Sequence, residues 1–444
     1  MGYAGRMKRA SFTICALLLF ISVGAEAQVN YPVHGYFSAQ YRYRETEDAT
    51  DQDAYQYLSM DFGDPLTNAV TGHFFGRMAE DLMGNRDKEK PYKFAEITDT
   101  NDNNFDARLY MADLDINRVP GMEKISVGRQ FMYDTPVWLW LDGVRAETAE
   151  IAKLGNLKFG GYGGLPVHMF EPNQSGNSMY GAYAQARPWL GSRIRMDWVH
   201  ADNEYIYGAE HNNLYSLEIW QIIQQYLTLN ARYTMLAEKS HDVRVNASYY
   251  NPGINFQARG TFYELIEPEK NLAIDFDPYF AALHEYFPYW QAGLIVSQGL
   301  GEHFIMEGGA DVRRLSNSRD RSQFNHEFER YYMTLSLLNL PVEGLDLSVT
   351  GSLWNSHDQT ELLQSYGGDI SYRITKPLKA SVGTFFDLYQ YNYYLNKEED
   401  NVQTYYARLS YLPLKGFGGA LGYEYEDTKF GNFNVAKVDL RYAF

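Results

Sequence analysis

The C-terminal segment alternates strictly between apolar and polar residues, up to the last residue of the chain. The apolar set is Val438, Leu440, Tyr442 and Phe444, and the intervening set is Lys437, Asp439, Arg441 and Ala443. Successive side chains of a β-strand point to opposite faces of a sheet, so this segment has one face suited to lipid and one suited to water. It is therefore predicted to be a strand of a transmembrane β-barrel wall.

The same period of two recurs along the chain, often with an arginine in mid-strand. Examples are Thr228, Asn230, Arg232 and Thr234 between Leu227, Leu229, Ala231 and Tyr233. Soluble sheets rarely place arginine there so regularly, whereas a water-containing lumen accommodates it. With 38 tyrosines and 37 glycines, a mean hydropathy of −0.43 and no apolar run of membrane-spanning length, the composition favours a barrel over a helical membrane protein.

The first 27 residues have the order of a secretory signal. Arg6, Lys8 and Arg9 precede the apolar run Ile14 to Val23, and Ala25-Glu26-Ala27 follows as an A-x-A cleavage site. We therefore predict a signal peptide at 1–27 and a single barrel domain at 28–444. The alternatives are a buried N-terminal helix and a lipoprotein-type cleavage at Cys15.

Charge and cysteine usage exclude several functions. Removal of the signal takes three basic and one acidic residue from 39 and 56, which leaves 36 against 55 and a net charge of −19. Nucleic acid is therefore an unfavourable partner. The only cysteine, Cys15, lies within the signal, so disulfides, thiolate metal sites, cysteine nucleophiles and covalently attached c-type haem are excluded.

The pattern predicts an all-β fold: a single transmembrane, antiparallel, up-and-down β-barrel of about 22 strands (20–22) without a plug domain. The predicted strands are 33–44, 54–63, 68–82, 104–118, 122–132, 141–152, 156–164, 178–188, 192–201, 212–222, 226–236, 242–250, 254–265, 289–298, 303–314, 327–338, 344–354, 364–375, 379–392, 402–412, 418–427 and 433–444.

Connections alternate between tight turns and longer polar loops, as expected for a barrel whose two termini lie in the periplasm. The predicted turns are Asp64-Pro65, Val119-Pro120-Gly121, Asn251-Pro252-Gly253, Lys376-Pro377 and Pro413-Leu414-Lys415-Gly416. The predicted longer loops include Thr46 to Asp53, Met83 to Asn103, Ser316 to Phe324 and Lys397 to Asn401.

An alternating C-terminal strand that ends in Phe444, with Tyr442 before it, resembles the assembly signal of Gram-negative outer-membrane barrels. The resemblance implies an outer-membrane location with lipid and the barrel assembly machinery as partners, and a porin-like channel for small solutes or ions. The stretches Val127-Gly128-Arg129-Gln130 and Asp142-Gly143-Val144-Arg145 resemble a pattern of porin-like families.

The first predicted strand follows Gln28 closely, so we expect no N-terminal plug, and a lumen of this width needs another filling. Inward-folded loops are one answer: Tyr133 to Leu141 and Ile266 to Pro288 are unusually apolar, and the candidate constriction or partner-contact residues are Tyr133, Trp138, Trp140, Phe280 and Phe287. Trp138 and Trp140 alternatively belong to an aromatic girdle.

A partner protein inside the barrel is a second way in which the lumen could be filled. In size and strand number the chain is similar to the barrel component of porin-cytochrome conduits. That similarity implies a sheath around a periplasmic or surface multihaem c-type cytochrome, as an alternative to a channel.

Charged residues on the polar side of the predicted strands are candidates for lining the lumen. They are Arg42, Arg77, Arg195, Arg232, Arg244, Arg259, Arg373, Arg408, Arg441, Asp346 and Asp439, interleaved with Asp61, Asp197, Asp387 and Glu424. They form either a ladder that guides ions or salt bridges that stiffen the wall, and neither anion nor cation preference follows.

No motif indicates an enzyme, a resident metal or a cofactor. The cluster Asp99, Asn101, Asp102, Asn103 and Asn104 lacks an EF-hand spacing, and His326 with Glu327 and Glu329 fits a solvated rim.

Overall fold

In a computed structural model, one sheet of 22 antiparallel strands closes on itself. Each strand pairs with its neighbour in the chain, and the first pairs with the last in a register running from Tyr36 opposite Ala443 to Glu45 opposite Asn434. The described residues are 31–47, 49–83, 104–136, 138–167, 177–205, 208–267, 287–320, 327–356, 363–392, 397–413, 416–428 and 431–444. The predicted signal peptide at 1–27 lies outside them.

The strands are β1 Val33–Glu45, β2 Thr50–Phe62, β3 Val70–Asp81, β4 Phe105–Ile116, β5 Met122–Met132, β6 Leu139–Thr148, β7 Lys158–Val167, β8 Ser178–Ala186, β9 Ser192–Tyr205, β10 Gly208–Ile223, β11 Leu227–Leu236, β12 Lys239–Asn251, β13 Phe256–Leu265, β14 Tyr289–Leu300, β15 Phe304–Leu315, β16 Phe328–Leu337, β17 Leu345–Ser356, β18 Leu363–Arg373, β19 Leu378–Asn392, β20 Lys397–Tyr411, β21 Gly416–Thr428 and β22 Gly431–Ala443. The described helices are the single 3₁₀ turns Ala152–Leu154 and Ser318–Asp320, and none of the described helices is long and apolar enough to cross a bilayer.

All 22 predicted strands are confirmed, and β5 has the predicted bounds. Three predicted loops are partly wrong, because the strands extend further into the connections than the alternation of apolar and polar residues indicated. Thr50–Phe62 and Lys397–Tyr411 absorb much of the predicted loops 46–53 and 397–401, and Leu139 to Leu141 belong to β6.

The barrel has two unlike ends. One end, here the terminal end, carries the start of β1, the end of β22 and the connections with turn chemistry. In two of its turns a side chain replaces a backbone partner: Asn251 Oδ1 accepts from the Gly253 amide at 3.0 Å, and Asp64 Oδ1 accepts from the Leu66 amide at 2.9 Å. Gly121 has a φ of +77° in the turn before β5, a conformation that favours glycine.

The opposite end, here the loop end, carries the longest connections, between β3 and β4 and between β13 and β14. It also has tight hairpins. Ala237 and Glu238 have φ values of +48° and +67°, the combination of a type I′ turn, whose twist matches that of the flanking strands. The connections at this end therefore differ widely in length.

The register assigns every strand residue to one of two faces. The face that carries Arg42 continues through Asp53 on β2 and Asp81 on β3, and returns at the other side of the sheet to Lys437 on β22; we call it the polar face. The other, apolar face carries well-exposed aliphatic residues such as Val349 (63% exposed) and Leu440 (60%). This is the division that a wall between hydrocarbon and water requires.

The wall is irregular between β4 and β5. Their ladder is short, running only from Ala112 opposite Arg129 to Ile116 opposite Ile125. On its other side, β4 has a bulge, because Phe75 pairs with Met111 and Gly76 with Leu109, which leaves Tyr110 without an opposite residue.

Near the loop end the polar face carries buried apolar side chains. One cluster is Met132, Leu141, Tyr162, Met179, Val199, Ala201, Leu214 and Leu236. A second is Leu265, Tyr289 and Leu315. At this level the polar face is therefore shielded from water.

Candidate functional site on the polar face

All the residues predicted to line the lumen lie on the polar face. Cross-strand pairs connect them to one another or to polar neighbours, as in Arg232 opposite both Glu218 and Arg244 and Ser381 opposite Arg408. Alternation along each strand assigns the remaining members to this face. The period of two in the sequence was therefore sufficient to assign these side chains to one face of the sheet.

Four of the predicted arginines are ion-paired within the wall. The contacts are Arg77 to Asp106 at 2.7 Å, Arg195 to Asp197 at 2.7 Å, Arg232 to Glu218 at 3.2 Å and Arg244 to Asp242 at 2.9 Å. Glu218 also receives Arg193 at 2.9 Å, and Arg195 lies 3.8 Å from the centre of the Tyr183 ring. Salt bridges that stiffen the wall therefore account for these members.

Arg42 lies over the Tyr55 ring, 5.1 Å from its centre. The other four predicted arginines are different. All four are exposed: Arg259, Arg373, Arg408 and Arg441. Among the described residues, no carboxylate lies within ion-pair distance of these arginines. Arg373 lies directly opposite Lys379, which is also exposed. We call Arg373, Lys379, Arg408 and Arg441 the basic row; it lies on β18 to β22 towards the terminal end.

The two predicted acidic residues lie near this row. Asp346 accepts a hydrogen bond from the Asn339 amide at 3.1 Å, so it supports the preceding turn. Asp439 borders a concave region of about 550 Å³ together with Lys379, Arg408 and Lys437. The row is therefore predominantly, but not solely, basic.

The connection 133–136 folds over the polar face. Asp134 receives both terminal nitrogens of Arg145, at 2.8 and 2.5 Å, and Arg195 Nη1 at 3.3 Å. Arg145 lies on β6 and Arg195 on β9, so one carboxylate ties the connection across several strands. Thr135 beside it is fully buried.

Asp134 remains charged in this position. Burial alone would raise the pKa of its carboxyl, but the hydrogen bonds and charges of Arg145 and Arg195 outweigh burial and hold the pKa below its usual value. A depressed carboxyl pKa means that this anchor is present at neutral pH and is lost only as the pH falls through the lowered value.

The two stretches that carry the motif resemblance pair with each other across β5 and β6. Arg129 and Asp142 are direct cross-strand partners and form two parallel hydrogen bonds, at 2.7 and 2.6 Å. Arg129 Nη1 also donates to the Leu109 carbonyl at 2.8 Å, beyond the end of the β4–β5 ladder. The register places this pair in the row of Val127 and Val144, on the apolar face.

The aromatic candidates fall in different places. Tyr133 and Trp138 are both 71% exposed, and Tyr133 borders a cavity of about 700 Å³ on the polar face. Trp140 belongs to β6 and packs against Phe131, with ring centres 4.7 Å apart, as in a girdle. Phe287 is half-buried, and Phe280 lies outside the described residues.

The predicted assembly residues lie at the seam between β1 and β22. Phe444 and Gly35 exchange two backbone hydrogen bonds, at 3.2 and 3.1 Å. Tyr442 packs against Phe417, with ring centres 4.7 Å apart.

The structure adds little support for the two remaining candidate sites, the Asp/Asn cluster and the group of His326, Glu327 and Glu329. Asp99, Asn101, Asp102, Asn103 and His326 lie outside the described residues; Asn104 has a φ of +51°. Glu329 pairs with Arg314, and Glu327 accepts from the Leu315 amide at 3.3 Å.

Comparison with known proteins finds solved structures with a similar fold. No protein-family model and no curated protein matches the sequence. Among solved structures, the P pilus usher (PapC) translocation pore matches 93% of this chain and 99% of its own, with a TM-score of 0.53 at 8% identity. OccAB3 of Acinetobacter baumannii matches 94% and 100%, with a TM-score of 0.44 at 10% identity. The outer membrane protein opdK of Pseudomonas aeruginosa matches 93% and 99%, with a TM-score of 0.45 at 11% identity.

At these identities the likeness concerns the fold alone, and none of these structures supports the sheath alternative. The protein is therefore a closed antiparallel β-barrel of 22 strands, similar in fold to the usher translocation pore.

Proposed function

We propose that the protein is an outer-membrane channel for small hydrophilic solutes or ions. The observation that carries this proposal is the polar face, which continues in register around a closed barrel whose other face is apolar. In a bilayer the apolar face turns to lipid, so the polar face lines the lumen. The candidate residues on it are wall residues of the pathway, and a catalytic role is not part of the proposal.

The connection 133–136 is proposed to narrow the pathway. It is tied by Asp134 to Arg145 and Arg195, and it lies over the level at which Met132 and Leu141 are fully buried. A fixed inward connection reduces the cross-section without a plug domain. Tyr133, which borders the cavity beneath it, would contact passing solutes.

The basic row is proposed to contact anionic groups. Its guanidinium and ammonium groups are exposed and unneutralised, whereas the arginines of β6 to β12 are occupied by carboxylates. Both termini are proposed to be periplasmic, because short turns lie on that side in barrels of this class. The basic row would then lie near the periplasmic mouth.

Planar-bilayer recording tests the proposal. We expect the purified barrel to conduct alone. Replacing Arg373, Lys379, Arg408 and Arg441 by Gln should shift the reversal potential in a salt gradient towards cation selectivity, because four positive charges leave the lumen. The control removes Lys153 and Lys376, two exposed charges in terminal-end connections, and should change selectivity less. A correctly folded barrel that carries no current would refute the channel function.

A further inference from the structure

A histidine and two aspartates converge on the polar face of β3 and β4. His73 is the cross-strand partner of Asp113, and Asp115 follows two residues later on the same face. One nitrogen of His73 and one carboxylate oxygen of each aspartate all lie within 4.8 Å of one another. These groups are some 40 residues apart in the sequence, and only the register of the two strands unites them.

The histidine is already oriented as metal-ligating histidines are. Its Nδ1 lies 2.6 Å from Asp61 Oδ1, and its Nε2 points to Asp115 Oδ2 at 3.7 Å. In protein metal sites the ring nitrogen that does not bind the ion usually contacts a carboxylate, which fixes the tautomer and raises the basicity of the other nitrogen. Asp61 occupies that position here.

Asp113 provides an independent indication of a cation site. Its residue is only 7% exposed, and its Oδ1 is buried without a hydrogen-bond partner among the described residues. A buried carboxylate oxygen without a partner is costly. A bound cation would satisfy it.

A second acidic cluster lies on the same face and differs from the first in its counter-ion. Asp51, Asp53 and Asp81 also lie close together, but Arg44 bonds to Asp51 and Asp53 at 2.5 and 2.6 Å. That cluster has an internal counter-ion. At the first cluster Lys124 is the neighbouring lysine, and its Nζ lies 3.2 Å from Asp115 Oδ2.

The first cluster is accessible. His73, Asp113 and Asp115 border the cavity of about 700 Å³ that also includes Lys124 and Ser126. Ser126 donates to Asp115 Oδ1 and so fixes this carboxylate. An ion in the lumen can therefore reach the three ligands without opening the wall.

We propose that His73, Asp113 and Asp115 bind a divalent transition-metal ion, with Asp61 as the partner that orients His73. One imidazole nitrogen with two carboxylate oxygens suits Zn²⁺, Co²⁺ or Mn²⁺, whereas Mg²⁺ and Ca²⁺ prefer sites made only of oxygen. Ligand bonds of about 2.0–2.2 Å in tetrahedral geometry place such atoms about 3.3–3.6 Å apart, so side-chain shifts of up to about 1 Å complete the site.

Cobalt titration of the detergent-purified protein tests the site. Co²⁺ should give visible d–d absorption at one equivalent, Zn²⁺ should displace it, and Mg²⁺ in excess should not. His73→Gln and Asp113→Asn should each weaken Co²⁺ binding at least tenfold. The matched control is His200→Gln with Asp202→Asn, because that His–Asp contact of 3.0 Å belongs to none of the three-ligand groups found in the described residues.

Folding of every variant is checked by heat-modifiable migration in electrophoresis. Having two variants on different strands keeps the test decisive if one of them fails to assemble. Absence of Co²⁺ binding by the unaltered protein, or full binding by a folded His73→Gln variant, would overturn the site. Conductance is recorded separately, so failure of the metal site and failure of the channel are distinguishable.

Discussion

Individual charged residues of the wall divide into two kinds that look alike in the sequence. Arg195 and Arg408 both occupy polar positions of alternating strands, yet Arg195 is buried between Asp134 and Asp197 while Arg408 is exposed. A buried, paired guanidinium rigidifies the wall. An exposed one remains available to solutes.

Asp134 allows the most direct test at this scale. Asp134→Ala removes the hydrogen bonds to Arg145 and Arg195, each worth about 1.5–3 kcal/mol for charged groups in favourable settings. The connection 133–136 should detach, and single-channel conductance should rise. In the unaltered protein, conductance should stay constant from neutral pH downwards and change only below the usual aspartate pKa of about 3.9, because the Asp134 pKa is depressed.

Glu123→Gln is the control for this prediction. Glu123 borders the same cavity and contacts Lys158 at 2.9 Å, but it does not hold the connection. If both variants gave the same conductance as the unaltered barrel, the anchoring role of Asp134 would be wrong.

Among the elements, β4 and β5 share a short ladder, and beyond its end a side chain donates to a backbone carbonyl of β4. In hydrocarbon an unpaired carbonyl is expensive, so a side-chain donor at the end of a ladder is stabilising. Arg129 supplies that donor to Leu109 and is itself neutralised by Asp142. This explains why the arginine is tolerated on the apolar face.

Arg129→Leu should therefore destabilise the barrel, because it leaves Asp142 unpaired and the Leu109 carbonyl without a donor. Breaking such a pair in a low-dielectric setting costs about 3–5 kcal/mol. Urea unfolding in lipid vesicles measures the loss. Arg129→Leu combined with Asp142→Leu should recover part of it; a single variant as stable as the unaltered barrel would contradict this role.

The sequence predicted the strands and their faces but not the contacts between distant residues. Alternation placed Arg232 and Arg244 on one face because side-chain direction depends only on the strand period. The bond from Arg195 to Asp134, 61 residues away, depends on how a connection folds, and the meeting of His73 with Asp113 depends on strand register. Neither is encoded in a local pattern, so both escaped prediction, as did the bulge at Tyr110.

For the whole molecule, stability depends on closing the seam between β1 and β22. Deleting Phe444 removes its two backbone bonds to Gly35 and the terminal aromatic of the proposed assembly signal. We expect several-fold less folded barrel in membranes, measured as the heat-modifiable band. Phe417→Ala, which truncates an aromatic neighbour of Tyr442 and leaves the seam bonds in place, should reduce it less. Equal yields for the deletion and the unaltered chain would argue against this.

A ring of strands without a free edge cannot accept a further strand from another chain. Once β1 has met β22, contact with neighbouring proteins in a crowded membrane is limited to side chains. Before that moment both outer strands have unpaired edges. Strand exchange and aggregation can therefore occur between insertion of the first hairpin and arrival of the last segment.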